Sequence, residues 1–253
     1  MKPQINKPRV LEGGLLPAFL AVAVLMLAAT MNGLAGDNKP KVVSPHAKYR
    51  GLTYGEWGAE WWKAAFAIPV EDGSHPVFAG GAFEGPEGVL FLAGAGPGPD
   101  IKITIPAGTP IFFPVINAEC SVFEPDPFHG HDEASLRACA NGHIDQTSDR
   151  FAVIDGVPVK KLDSYRVESP LFQFGPLPAD NILGAPAETT SDSVDAGVYL
   201  LLEPLSVGMH TLHFGGTFHQ PPPGFTINTT YNITVTRKGH SDGSEKQTHG
   251  PTD

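Results

Sequence analysis

The chain has 253 residues, and 17 Lys and Arg against 27 Asp and Glu give it a formal charge of −10 at pH 7. That acidity argues against nucleic acid and anionic membrane surfaces as partners. A hydrophobic content of 41 %, with 29 Gly and 25 Pro, fits a globular, turn-rich chain rather than a fibrous or low-complexity one.

In chain order, the first predicted element is an export signal. Lys2, Lys7 and Arg9 form a basic n-region, Leu15 to Ala29 is almost wholly apolar, and Gly33-Leu34-Ala35 offers small residues for cleavage. The apolar run is about 15 residues, short of the roughly 20 a spanning helix needs. Residues 1–35 are therefore read as a signal peptide, 36–237 as a single domain and the polar 238–253 as a disordered tail. The expected location is secreted or periplasmic, with no membrane span after cleavage.

"TYGEWGAEWWKAAFAIP" predicts a helix over Thr53–Ile68. Thr53 followed three residues later by Glu56 is a capping box, and Pro69 stops the helix. At 100° per residue Tyr54, Trp57, Trp61, Ala64, Ala65 and Ile68 share one face, while Trp62 and Phe66 form a second aromatic pair. The helix is expected to be wedged between the body of the domain and a covering loop. The functional alternative is an aromatic platform for a ligand, with Trp62 and Phe66 as its candidates.

From Gly88 the pattern turns to period 2. Val89 to Leu92 reads as a short buried strand, and "DIKITIP" places Ile101, Ile103 and Ile105 on one face. "AGT" is expected to turn the chain so that "PIFFPVIN" returns along it. "FAVIDGVPV" reads as a hairpin with Asp155-Gly156 in a type I′ turn. "YRVESPLFQF" and "GVYLLLEPL" read as strands, and "MHTLHFGGTF" and "FTINTTYNITVTR" as a final pair joined by a Pro-rich loop. Between them, Leu177 to Gly197 reads as a long loop, in which Asp180, Asp192 and Asp195 are weak calcium candidates. The fold class is mainly β: an antiparallel sandwich or jelly roll, with one N-terminal amphipathic helix and a short helix in a disulfide-closed loop.

That disulfide is Cys120–Cys139, the only cysteines in the chain. It closes a loop of about 20 residues, worth roughly 3 kcal/mol on the chain-entropy account. Inside it, "FHGHDEASLRACANG" supports two readings. Asp132 and Glu133 fit the entry of a short helix that ends at Gly142. Alternatively, His129 and His131 hold a Zn²⁺ or Cu²⁺ ion with Glu133 or His213 as a further ligand. Helix entry is the expected outcome, with no cofactor. Tyr165 and Arg166 are further ligand candidates, although Arg166 and Glu168, two apart on a strand, read more simply as a surface ion pair.

The segments "YGEWGAEWW" (54–62), "VLFLAG" (89–94), "IPAGTPIFFPVIN" (105–117), "IDGVPVKKLDSYRVESPLFQF" (154–174) and "GVYLLLEPLSVGMHTLHFGGTF" (197–218) resemble a group of secreted bacterial proteins of uncharacterised function. The resemblance spans most of the expected mature chain. It implies export and a single β-rich domain, and it carries no catalytic residue across. G-x-S-x-G, H-E-x-x-H and P-loop motifs are absent from the sequence. The expected function is therefore a binding or cell-surface interaction protein without catalysis, whose partner is an extracellular glycan or a cell-envelope protein. The competing expectation is a secreted carbohydrate-active or metal-dependent enzyme using the histidines of the 129–131 loop.

Overall fold

The computed structural model describes residues 39–237; the expected signal peptide and tail lie outside them. The elements in chain order are α1 (Tyr54–Phe66), α2 (Pro76–Ala79), β1 (Gly81–Glu84), β2 (Leu90–Ala93), β3 (Asp100–Pro106), β4 (Ile111–Ser121), α3 (Glu133–Asp145) and β5 (Thr147–Ile154). There follow β6 (Val157–Pro158), β7 (Arg166–Glu168), β8 (Phe172–Phe174), β9 (Ser191–Leu202), β10 (Gly208–Phe218) and β11 (Phe225–Thr236).

The fold is a mainly β sandwich. Sheet A runs β1-β2-β4-β9-β7, with β8 also paired to β9, and sheet B runs β3-β11-β10-β5-β6. Both sheets are mixed: β2 lies parallel to β4, and β3 parallel to β11. The chain does not turn back on itself at "AGT" as expected. It crosses there from β3 in sheet B to β4 in sheet A. The two inner faces form the main core, where Phe113 packs against Phe214 at 4.7 Å.

α1 covers the other face of sheet A. Its Thr53 capping box is present, and the helix stops at Phe66 before Pro69. Trp57, Trp61 and Tyr54 bury against Phe91, Phe112 and Tyr199. Phe66 turns to the opposite side and packs with Phe172, Phe174, Leu177 and Ala185. The helix is thus wedged as its two aromatic faces require.

The Cys120–Cys139 bridge is formed. α3 begins at the N-cap Asp132, whose side chain accepts from the Ser135 amide in a capping box. The helix continues three residues past Gly142, because its Leu136, Ala140 and Ile144 share one buried face that rewards another turn. The Asp155-Gly156 turn has positive φ at both residues (49° and 75°), as a type I′ turn requires.

Two further expectations are corrected. Ser191 to Gly197 is strand β9, not loop: Ser and Asp weaken its local preference, but pairing with β4 on one side and with β8 and then β7 on the other overrides it. Arg166 and Glu168 do not pair with each other. Arg166 reaches Asp145 at 2.6 Å and Glu168 meets Arg137 at 2.5 Å, because α3 presents opposite charges to each.

Trp61 is buried, and its Nε1 donates to the Leu92 carbonyl. Trp61→Ala is expected to cost roughly 3–5 kcal/mol in urea unfolding. Asp132→Ala removes the cap of α3, and its melting temperature should fall by a few degrees in calorimetry, whereas Ala at the exposed His131 should leave it unchanged.

Candidate binding cavity

β4 carries a β-bulge, with the register against β9 shifting between Pro114 and Ile116. Before the bulge Phe112 faces α1. After it, Val115 and Ile116 both face the inter-sheet core, and the alternation changes phase. Ala118 and Cys120 then point into the core, and Asn117 and Glu119 point to the α1 side. The neighbouring strand matches them. Val194, Ala196 and Val198 are core, while Ser193, Asp195 and Tyr199 share the side of Glu119.

Asn117, Ala118 and Glu119 of β4, with Glu124 beyond it, form the floor of a cavity of about 360 Å³. Its walls come from Trp61, Trp62 and Phe66 of α1, Phe78 of α2, and Phe218 and Phe225 at the β10–β11 end. Ile182 and Leu183 close another side from the 177–190 loop. Phe78 and Phe225 are largely solvent-exposed, which places apolar surface at the mouth.

The floor is polar and buried. Glu119 is 4 % exposed; Ser193 Oγ donates to it, and Glu124 lines the cavity beside it. Glu124 Oε2 accepts from Ser121 Oγ at 2.9 Å. Burial, then the Glu124 charge, holds Glu119 well above the usual carboxylate range. Burial also raises Glu124, against the opposing hydrogen bonds from Glu119 and Ser121 and the nearby His143.

His143 lines the same cavity and stacks on Phe128 at 4.6 Å. Its Nε2 lies 2.9 Å from the Pro127 carbonyl and so carries the proton, which leaves Nδ1 as an acceptor with no partner. Cys139 stands four residues before it on α3, so the disulfide to Cys120 anchors this face of the helix beside Glu119 on β4. Behind the floor, Asp195 Oδ1 accepts from Trp62 Nε1 (2.8 Å) and Tyr199 Oη (2.7 Å). Its Oδ2 is buried without a partner, and burial pushes the carboxyl up to about 7. Gly58 is required there, since a Cβ would stand 2.7 Å from that oxygen.

Of the ligand candidates taken from the sequence, Trp62 and Phe66 line the cavity, and Tyr165 and Arg166 do not. Tyr165 packs edge-on to Tyr54, and Arg166 is held by Asp145 and Asn141. His129 Nε2 and His131 Nδ1 lie 3.2 Å apart, but Glu133 is engaged by Arg137, and His213 bonds Asn228 and packs on Phe151 in sheet B. Asp192 pairs with Gln173 on the strand edge while Asp195 is buried, so the calcium set is not assembled. Among the described residues, Cys120, Cys139 and His143 are the one grouping of three metal-type donors, and its sulfurs are joined as a disulfide rather than free as thiolates. Glu119, Glu124, Asn117 and His143 were not singled out from the sequence, and Asp195 was named there only as a calcium candidate. The signal that would have found them is the alternation of polar residues in Asn117-x-Glu119-x-Ser121 and Ser191-x-Ser193-x-Asp195.

No family model matches the chain, and no curated protein matches it. Among solved structures, the solution structure of Amebosin aligns with 55 % of this chain and all of its own, at 10 % identity and a TM-score of 0.16. A likeness that slight carries no argument about fold or function. No helix among the described residues is long and apolar enough to cross a membrane.

Asp195 supplies a pH test. Its folded pKa lies above its unfolded value, so its contribution to stability is full below about pH 4 and is lost as pH rises through about 7. Glu119 and Glu124, also raised, act in the same direction. Asp195→Asn keeps an acceptor for Trp62 and Tyr199 and cannot ionise. Urea unfolding should show the variant gaining on the wild type between pH 5 and 8, by up to a few kcal/mol.

Proposed function

We propose that this protein is an exported binding protein that encloses a small, largely apolar molecule in the cavity between α1 and the open end of the sandwich. The observation that carries this reading is the cavity itself: about 360 Å³, walled by aromatic side chains, with its few polar groups converging on one buried floor. Ligand sites are typically concave, apolar and furnished with a small number of placed polar groups. The disulfide supports an oxidising compartment.

A glycan fits this reading less well. Sugars need many hydrogen-bonding groups around an open aromatic platform, whereas Trp62 and Phe66 face inward and the walls are hydrocarbon. A second reading, acid–base chemistry on the enclosed molecule, draws support from Glu119 and Glu124, two cavity-lining carboxyls that burial raises, since raised carboxyls in a cleft are the means of such catalysis.

Trp61 and Trp62 report on the cavity by their fluorescence. Titration of the protein with the neutral probe N-phenyl-1-naphthylamine should quench them in a saturable manner. Leu183→Trp fills one side of the cavity and should weaken binding about tenfold or more with little change in melting temperature. Absence of saturable binding across a panel of neutral aromatic probes, or equal binding by the Leu183→Trp variant, would overturn the reading.

A further inference from the structure

We infer that the molecule held in this cavity is an amine in its protonated form, with its ammonium at the Glu119–Glu124 pair and its hydrocarbon body against the aromatic wall. The inference rests on the cavity being a ligand site. It adds the chemical class of the ligand.

Two acidic side chains, Glu119 and Glu124, face the cavity floor. Glu119 accepts from Ser193 and Glu124 from Ser121, both of them neutral hydroxyls that bring no positive charge. No Lys or Arg lines the cavity. The ion pairs among the described residues all involve other carboxylates. A buried charge without a counter-charge is costly, and such charges are normally paired.

The second, independent observation is His143. It is 7 % exposed and lies in the cavity wall, with Nε2–H committed to the Pro127 carbonyl and Nδ1 left as an unpartnered acceptor. Asn117 adds to the same surplus. Its Nδ2 donates to Tyr199, and its Oδ1 accepts from no protein group among the described residues. The hydroxyl of Tyr199 and the indole N–H of Trp62 are both directed to Asp195. The floor therefore gathers two carboxyls, an unpartnered histidine nitrogen and a free amide oxygen, with no Lys or Arg beside them. The complementary ligand group is a cation with several N–H donors, which describes an ammonium.

The walls agree. Aromatic faces attract a cation as well as burying hydrocarbon, and Trp62, Phe66 and Phe128 stand around this floor. An anionic ligand such as a fatty acid would meet like charge. A metal ion would need donors converging within one coordination sphere, and the only such grouping among the described residues is the one that contains the disulfide.

Three probes of one shape decide the matter: 1-naphthylmethylamine, 1-naphthalenemethanol and 1-naphthoate, titrated by calorimetry at pH 7. The amine should bind about tenfold or more tightly than the alcohol, and the carboxylate should not bind measurably. In Glu119→Gln/Glu124→Gln, checked for folding by its melting curve, the preference should fall to about threefold or less. If that variant does not fold, the wild-type ratio decides by itself. An alcohol that binds as well as the amine overturns the inference and leaves the cavity as a site for neutral ligands. Binding of none of the probes overturns the ligand-site reading and the inference with it. A preference that survives the double substitution also overturns it, because the charge would then lie elsewhere.

Discussion

The β4–β9 pair is covered on both faces, by sheet B on one side and by α1 on the other, and the rest of the structure follows from that enclosure. A strand pair buried on both sides reads as nearly continuous apolar sequence. "PIFFPVI" and "GVYLLL" do so. The polar residues further along the same strands then cannot reach bulk water. The bulge at Pro114–Ile116 decides which layer receives them. It carries two consecutive residues into the inter-sheet core, so Asn117 and Glu119 emerge on the α1 side, away from Phe113 and Phe214.

Once there, each polar group is managed by a neighbour from a distant part of the chain. Ser193 answers Glu119, Ser121 answers Glu124, and Trp62 and Tyr199 answer one oxygen of Asp195. The accounting does not close. One nitrogen of His143 and one oxygen of Asp195 stay unmatched. Native structures leave few buried polar groups unsatisfied, and those they leave concentrate where a ligand or proton is handled. Both of these unmatched atoms lie at or just behind the cavity floor, under walls able to hold a small molecule.

The disulfide belongs to the same design. Cys120 lies next to Glu119 on β4, and Cys139 lies one turn before His143 on α3. The bridge fixes that helix against the strand and holds between them the loop that carries Glu124 and Phe128. The Pro127 carbonyl receives a hydrogen bond from His143 and marks the point where loop and helix lock together. The covalent staple therefore sets the geometry of the floor as well as contributing to stability.

The sequence by itself determined the local elements. The capped α1 with its two aromatic faces, the type I′ hairpin at Asp155-Gly156, the closing β10–β11 pair, the Asp132 cap and the cysteine pair follow from interactions within a few residues or from the only pairing available. Part of the cavity wall was legible in the same way, because Trp62 and Phe66 stand off the main face of the helix. The floor was not. The direction in which Asn117 and Glu119 point depends on a bulge, and a bulge is a property of two strands together. Ser191 to Asp195 looks like loop until β4 and β8 pair with it, and Arg166 and Glu168 look like partners until α3 offers each a better one. Local preference fixes what each segment is. Which buried polar groups meet, and what they leave unpaired, is fixed only when strands distant in sequence come into contact, as those carrying Glu119 and Ser193 do.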